Sequence, residues 1–157
     1  MTTNNIVKGA VALSAAALLL IATHEGFSPT PYKDTGGVVT NGFGNATRSP
    51  DKPVTVVEAL IDLQFNTHVT GRGVSQCVTY PMTQGQYDAY VSFAYNVGVN
   101  AFCKSTMAKF ANAGDKVASC NQFDRWVYVA GKDCRIASNN CRGIVKRRAE
   151  EKALCLS

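Results

Sequence analysis

The chain has 157 residues, 46% of them hydrophobic and 17% charged, with a formal net charge of +5 at pH 7. That length suits one domain with a sizeable core, and the composition excludes a disordered chain. Much of the positive excess lies late, in Arg135, Arg142, Lys146, Arg147, Arg148 and Lys152, a basic face that favours an anionic polymer as partner.

From Ile6 to Thr23 the sequence runs IVKGAVALSAAALLLIAT, eighteen residues with one charge, Lys8. As a helix it spans about 27 Å, close to the roughly 30 Å hydrocarbon core of a bilayer. Insertion is marginal, because the strongly apolar residues each favour it by only about 0.3–0.6 kcal/mol. Three readings compete: a cleaved secretory signal with Ala15-Ala16-Ala17 as the small-residue site, a buried core helix, and a signal anchor that later leaves the membrane. The third is preferred, since a cut near His24 strips the helix that should carry Glu25. Lys8 and the amino terminus then stay in the cytoplasm and the remainder is exported.

The stretch His24 to Asn45, HEGFSPTPYKDTGGVVTNGFGN, is where the chemistry concentrates. Glu25, Asp34 and Thr40 fall in the order E-x8-D-x5-T. Cleaving a glycosidic bond needs one protonated carboxyl group for the leaving oxygen and a second, ionised one to direct water or stabilise developing positive charge. A nearby hydroxyl helps hold the water. Each residue also has a plainer reading: a first-turn carboxylate, a turn residue before Thr35-Gly36-Gly37, and a β-branched strand filler.

Further along, Thr55-Val56-Val57-Glu58 has the capping-box form that opens a helix, and Val56, Leu60 and Leu63 give that helix an apolar face. Gly71 and Gly73 should weaken its far end. A second start lies at Thr83-Gln84-Gly85-Gln86, with Tyr87, Tyr90, Val91, Ala94 and Tyr95 on one stripe and Gly98 as the stop. Lys104 to Ala113 and Asp115 to Tyr128 read as short helices separated by Gly114. Trp126 reads as core, and the last helix should run from about Gly143 to Leu154.

Six cysteines with no C-x-x-C pair and only two histidines argue against zinc and for disulfides in an oxidising compartment. Cys134 and Cys141 bracket a polar, turn-forming loop that a disulfide can close. For the other four, Cys103 with Cys120 and Cys77 with Cys155 is one of several open pairings.

The wording HEG, PY-x-D and GGVVTNGFGN, then FAYNVG at Phe93 to Gly98, DRW at Asp124 to Trp126 and KRRAEE at Lys146 to Glu151, resembles the phage-type lysozymes, the muramidase family of the T-even phage enzyme. The resemblance covers nearly everything after His24, and the N-terminus resembles the signal-arrest-release endolysins. It implies a mainly helical α+β lysozyme-like fold, in which a small β-hairpin lobe and a larger helical lobe flank a cleft. It also implies Glu25 as general acid, Asp34 as second carboxylate, Thr40 as water-positioning hydroxyl and Arg148 as a partner that orients Glu25. Where the family often has a histidine after the last hairpin glycine, this chain has Asn45, so any ion pair through that histidine is absent or replaced.

The division expected is residues 1–23 as releasable anchor and 24–157 as catalytic domain, held at the host inner membrane with the N-terminus inside and then released to the periplasm. The implied substrate is the peptidoglycan glycan strand, cut without metal or organic cofactor by a monomer, to lyse the bacterial host. Inversion at the anomeric carbon is implied, and a retaining route stays open. The rivals are a lytic transglycosylase and a non-catalytic, membrane-anchored wall-binding protein; a nucleic-acid partner is disfavoured, because the basic residues form no recognised reader motif.

Overall fold

The computed structural model describes residues 6–7, 12–34 and 36–157. A short strand, β1 (Ile6–Val7), precedes helix α1 (Ala15–Glu25), a hairpin of β2 (Ser28–Lys33) and β3 (Val39–Gly42), and the long helix α2 (Val56–Cys77). Then come β4 (Met82–Thr83), α3 (Gln84–Val97), α4 (Val99–Cys103), α5 (Thr106–Asn112) and α6 (Lys116–Asn121). A 3-10 turn, a second hairpin of β5 (Tyr128–Val129) and β6 (Lys132–Asp133), and α7 (Arg142–Leu156) complete the chain. The fold is mainly helical α+β, with a hairpin lobe beside a helical lobe.

Helix α3 is the axis of the helical lobe. Its residues from Gln86 to Ala94 are all buried, packed between α2, α7 and α1. Phe93 meets Phe102, Phe123 and Trp126 edge-on, the last at 4.9 Å between centroids. Both expected capping boxes form, Thr55 with Glu58 and Thr83 with Gln86.

Glycine at 71 and 73 does not weaken α2, which continues to Cys77. A Cβ on Gly71 would stand 2.1 Å from the Tyr87 hydroxyl, and one on Gly73 would stand 2.6 Å from Val99. These glycines are contact points for α3 and α4. The segment expected as a helix from Asp115 to Tyr128 instead breaks at Asn121, and the chain turns into the second hairpin at Ala130-Gly131.

The N-terminal segment departs most from expectation. In this folded form no continuous helix covers Ile6 to Thr23: Ile6–Val7 pairs antiparallel with Met82–Thr83, and the helix starts only at Ala15. Ser14 decides that start, its hydroxyl accepting from the Ala17 amide at 3.1 Å while its own N–H donates to Asp88 at 3.0 Å. Residues 8–11, Lys8 among them, lie outside the described residues. Eleven residues span about 16 Å, and among the described residues no helix is long and apolar enough to cross a membrane.

The disulfide pairing also differs. Cys134–Cys141 forms as expected, but the other bonds are Cys77–Cys103 and Cys120–Cys155. The first ties the end of α2 to α4 and the second ties α6 to α7, because these helix ends, distant in sequence, are neighbours in the core.

Candidate active site

Glu25 is the last residue of α1, and the chain reverses at Gly26, whose φ is 70°. Its side chain is 20% exposed at the edge of a cleft of about 570 Å³ between the two lobes. Asp34 and Thr40 line the same cleft from the β2–β3 hairpin, so all three residues singled out from the sequence converge there.

The hairpin holds Asp34 through its own turn. One carboxylate oxygen, Oδ1, accepts from the amides of Gly36 and Val38, both at 2.9 Å. The turn reading holds for Asp34, whose Oδ1 builds the turn, and Oδ2 has no partner among the described residues. Thr35, part of that turn in sequence, lies outside the described residues. Thr40 pairs with Tyr32 across the hairpin and is buried, its hydroxyl donating to the Val38 carbonyl at 3.1 Å. Its oxygen keeps its lone pairs available to a water.

The arginine partner of Glu25 is Arg147, not Arg148. Arg147 Nη1 donates to Glu25 Oε1 at 2.8 Å, while Nε donates to Glu151 at 3.0 Å and Nη2 to the Ser92 carbonyl at 3.1 Å. Arg148 points elsewhere, to the Trp126 carbonyl, Glu151 and Asn96, with its guanidinium over the Phe93 ring. One residue along a helix turns the side chain by about 100°, so the two arginines share Glu151 but diverge beyond it, and only Arg147 reaches Glu25. Burial holds the Arg148 guanidinium below its ordinary pKa, against the Glu151 carboxylate, which pulls it back up.

Glu151 is fully buried and satisfied by both arginines and by the Ser92 hydroxyl at 2.6 Å. A buried carboxylate of this kind is tolerated only when paired and hydrogen-bonded. Its role here is to fix Arg147, which fixes Glu25. The expected basic face is correspondingly reduced: Arg147 and Arg148 are inside, and Arg135 and Lys152 are paired with Asp133 and Asp124.

Three further residues shape the cleft. Gly44 has a φ of 70°, and a Cβ there would stand 2.9 Å from Glu25 Oε2, so only glycine leaves that oxygen open. Tyr32 feels both acids: burial raises its phenol pKa, and the charges of Glu25 and Asp34 raise it further. Tyr95 donates to the Phe43 carbonyl at 3.1 Å, joining α3 to the small lobe. Burial, then Glu25, pushes its pKa far up, keeping it a neutral donor. GFGN was the sequence signal for Gly44; nothing local marked Arg147 over its neighbour.

Asn45 occupies the position where the family often has histidine. It is buried, donating to Asn41 Oδ1 at 2.7 Å and to the Arg48 carbonyl at 2.8 Å, and accepting from Asn66 of α2 at 3.0 Å. A neutral amide hub stands here in place of an ion pair.

A helical lobe and a hairpin lobe flanking an acid-lined cleft define a lysozyme-like protein. Residues 22–151 match the phage lysozyme family, and the chain belongs to that family. It is 35% identical over 163 aligned residues to the SAR-endolysin of Escherichia phage 933W, covering 90% of this chain and 92% of that protein. It is 34% identical to the endolysin of Bacillus phage PZA, covering 90% of this chain but spanning only 54% of that longer protein. Among solved structures, the active form of P1 phage endolysin Lyz superposes with a TM-score of 0.78 at 28% identity, over 93% of this chain and 85% of that one. Its secreted inactive form gives 0.58 at 26% identity, over 91% and 94%. The arrangement described here is thus closer to the active one.

Proposed function

We propose that this protein is an endolysin, a muramidase that hydrolyses the β-1,4 bond between N-acetylmuramic acid and N-acetylglucosamine in peptidoglycan. The observation that carries it is the convergence of Glu25, Asp34 and Thr40 on one cleft, within a chain of the phage lysozyme family. Glu25 gives its proton to the glycosidic oxygen as the bond to the anomeric carbon breaks. With Oε1 held by Arg147, the Oε2 beside Gly44 is the donor. A water held by Thr40 and Asp34 Oδ2 attacks the anomeric carbon from the opposite face, and Asp34 takes the proton it releases, which gives inversion. Arg147 is a positioning residue in this scheme.

The same reading includes export. Residues 6–23 first sit in the host inner membrane with the N-terminus inside, and the chain is then released to the periplasm. Two things support this: the similarity to a SAR-endolysin, and the double use of one segment. Ile6–Val7 pairs with Met82–Thr83, and Ala17 and Ile21 are wholly buried in the folded form. None of these contacts can form while the segment is in a bilayer. Anchoring and the folded cleft are therefore mutually exclusive, and depolarisation, which removes about 2.3 kcal/mol per charge per 100 mV, favours release.

Turbidity of peptidoglycan suspensions tests the chemistry. Glu25→Gln should lower the rate by about 10²–10⁴-fold with an unchanged melting profile, and products should carry a hydrated reducing end. Anhydro products would replace the hydrolase by a lytic transglycosylase. Unchanged clearing by the variant would remove Glu25 from the mechanism.

A further inference from the structure

Helix α7 meets the last turn of α1 along two neighbouring rows of side chains. The inner row, Arg147 and Glu151, is buried, and its arginine grips Glu25. The outer row, Lys146 and Glu150, grips the residue before it. Glu150 Oε2 stands 2.6 Å from His24 Nε2, and its Oε1 stands 3.9 Å from Lys146 Nζ. Both rows have the i, i+4 spacing that sets side chains side by side on one face of a helix. Two successive residues of α1 are thus held by one helix, across 126 and 122 residues of chain.

The His24 contact is a directed bond rather than a solvated surface pair. Its imidazole is only 12% exposed. A carboxylate can only accept, so Nε2 carries a proton and donates whether the ring is neutral or cationic, a charge-assisted bond of the stronger kind. On the other side of Glu25 the chain turns at Gly26, with a φ of 70°, and glycine imposes little direction on the helix end. The aim of Glu25 therefore depends on what the last turn of α1 touches.

Arg147 by itself cannot hold that aim through turnover. Its bond to Glu25 Oε1 is an ion pair while Glu25 is ionised, and a weaker bond to a neutral acid while Glu25 holds the proton it will give. The His24–Glu150 bond does not involve the reacting carboxyl and stays the same in both states. We propose that His24 is a positioning residue for Glu25. Bonded to Glu150, it keeps the end of α1 on α7 while Glu25 gains and loses its proton, so that Oε2 stays beside Gly44. The assignment rests on the muramidase reading above and deepens it.

The test measures kcat and KM on soluble glycan strands, and the melting temperature, for wild type, His24→Ala, His24→Gln, Glu150→Ala and the variant with both alanines. Glu25→Gln sets the inactive baseline, and rates are compared where every chain is folded. His24→Ala should lower kcat about tenfold, with KM changed by less than about twofold. His24→Gln, whose amide can still donate to Glu150, should recover most of the rate. Glu150→Ala should match His24→Ala, and the double variant should be no slower than either, because both remove one contact. Unchanged kcat in His24→Ala, a loss carried by KM, or losses that multiply in the double variant would overturn the role. A lower melting temperature with wild-type kcat would overturn it as well, leaving the pair a structural tie. Wild type no faster than Glu25→Gln would overturn the muramidase reading and this role with it.

Discussion

The two lobes that face each other across the cleft are held together by different physics. The helical lobe is an aromatic and aliphatic core around α3, stapled by Cys77–Cys103 and Cys120–Cys155. The hairpin lobe has almost no apolar interior of its own: Val38 and Val39 are exposed, and what is buried is Thr40, Asn41, Gly42 and Asn45. Its order comes from hydrogen bonds, with Asn41 donating to the Ser49 and Lys52 carbonyls and Asn45 linking to Asn66 of α2. Hydrophobic burial is non-directional, whereas a hydrogen bond fixes atoms to within a few tenths of an ångström. Glu25 sits at the end of a core helix, while Asp34 and Thr40 sit on the lobe whose geometry is set by directional bonds.

Separate perturbation of the lobes should break that contrast if it is wrong. Phe102→Ala, which empties a fully buried site, should cost about 3–5 kcal/mol, seen as a large drop in the melting temperature of the whole protein. A change of under 1 kcal/mol would mean that the core is not what holds the helical lobe. Asn45→Ala leaves the Asn41 and Asn66 amides and the Arg48 carbonyl short of a partner. It should cost about 1–3 kcal/mol, concentrated in faster hydrogen exchange of the hairpin and the 45–52 loop, with activity falling more than global stability.

The smallest effect lies at the entry to α2. Hydrogen bonds from the Thr55 hydroxyl and then the Thr55 amide hold the Glu58 carboxyl below its ordinary pKa. A depressed pKa means stability present above the unfolded-state value and lost as pH falls through the folded one. Glu58→Gln, which can still cap the helix but carries no charge, should therefore lower stability slightly at neutral pH and converge on wild type as pH falls below about 5, flattening the acid limb of the profile. A variant profile that tracks wild type would place the acid sensitivity elsewhere.

Much of the site was legible in the chain because it is local. Glu25, Asp34 and Thr40 lie within sixteen residues, and the glycines and asparagine around them dictate the hairpin that brings them together. The two capping boxes and the Cys134–Cys141 loop were readable for the same reason, each being a contact across fewer than eight residues. The second hairpin was missed, since Tyr128-Val129 and Lys132-Asp133 are too short to show alternation and Ala130 is an uncommon residue at a turn position with positive φ.

The sequence by itself determined the starts of the main helices, the first hairpin with its acidic pair, and the family, because hydrophobic period, caps and turn chemistry act over one or two turns of chain. Tertiary structure alone decided which of two adjacent arginines reaches Glu25, which cysteines pair across 26 and 35 residues, and that Ile6–Val7 can add to Met82–Thr83. Those outcomes depend on how helices rotate and dock against one another. A helix of either orientation satisfies its own backbone equally well, so only the packing of α7, α1 and the N-terminal segment on α3 could select among them.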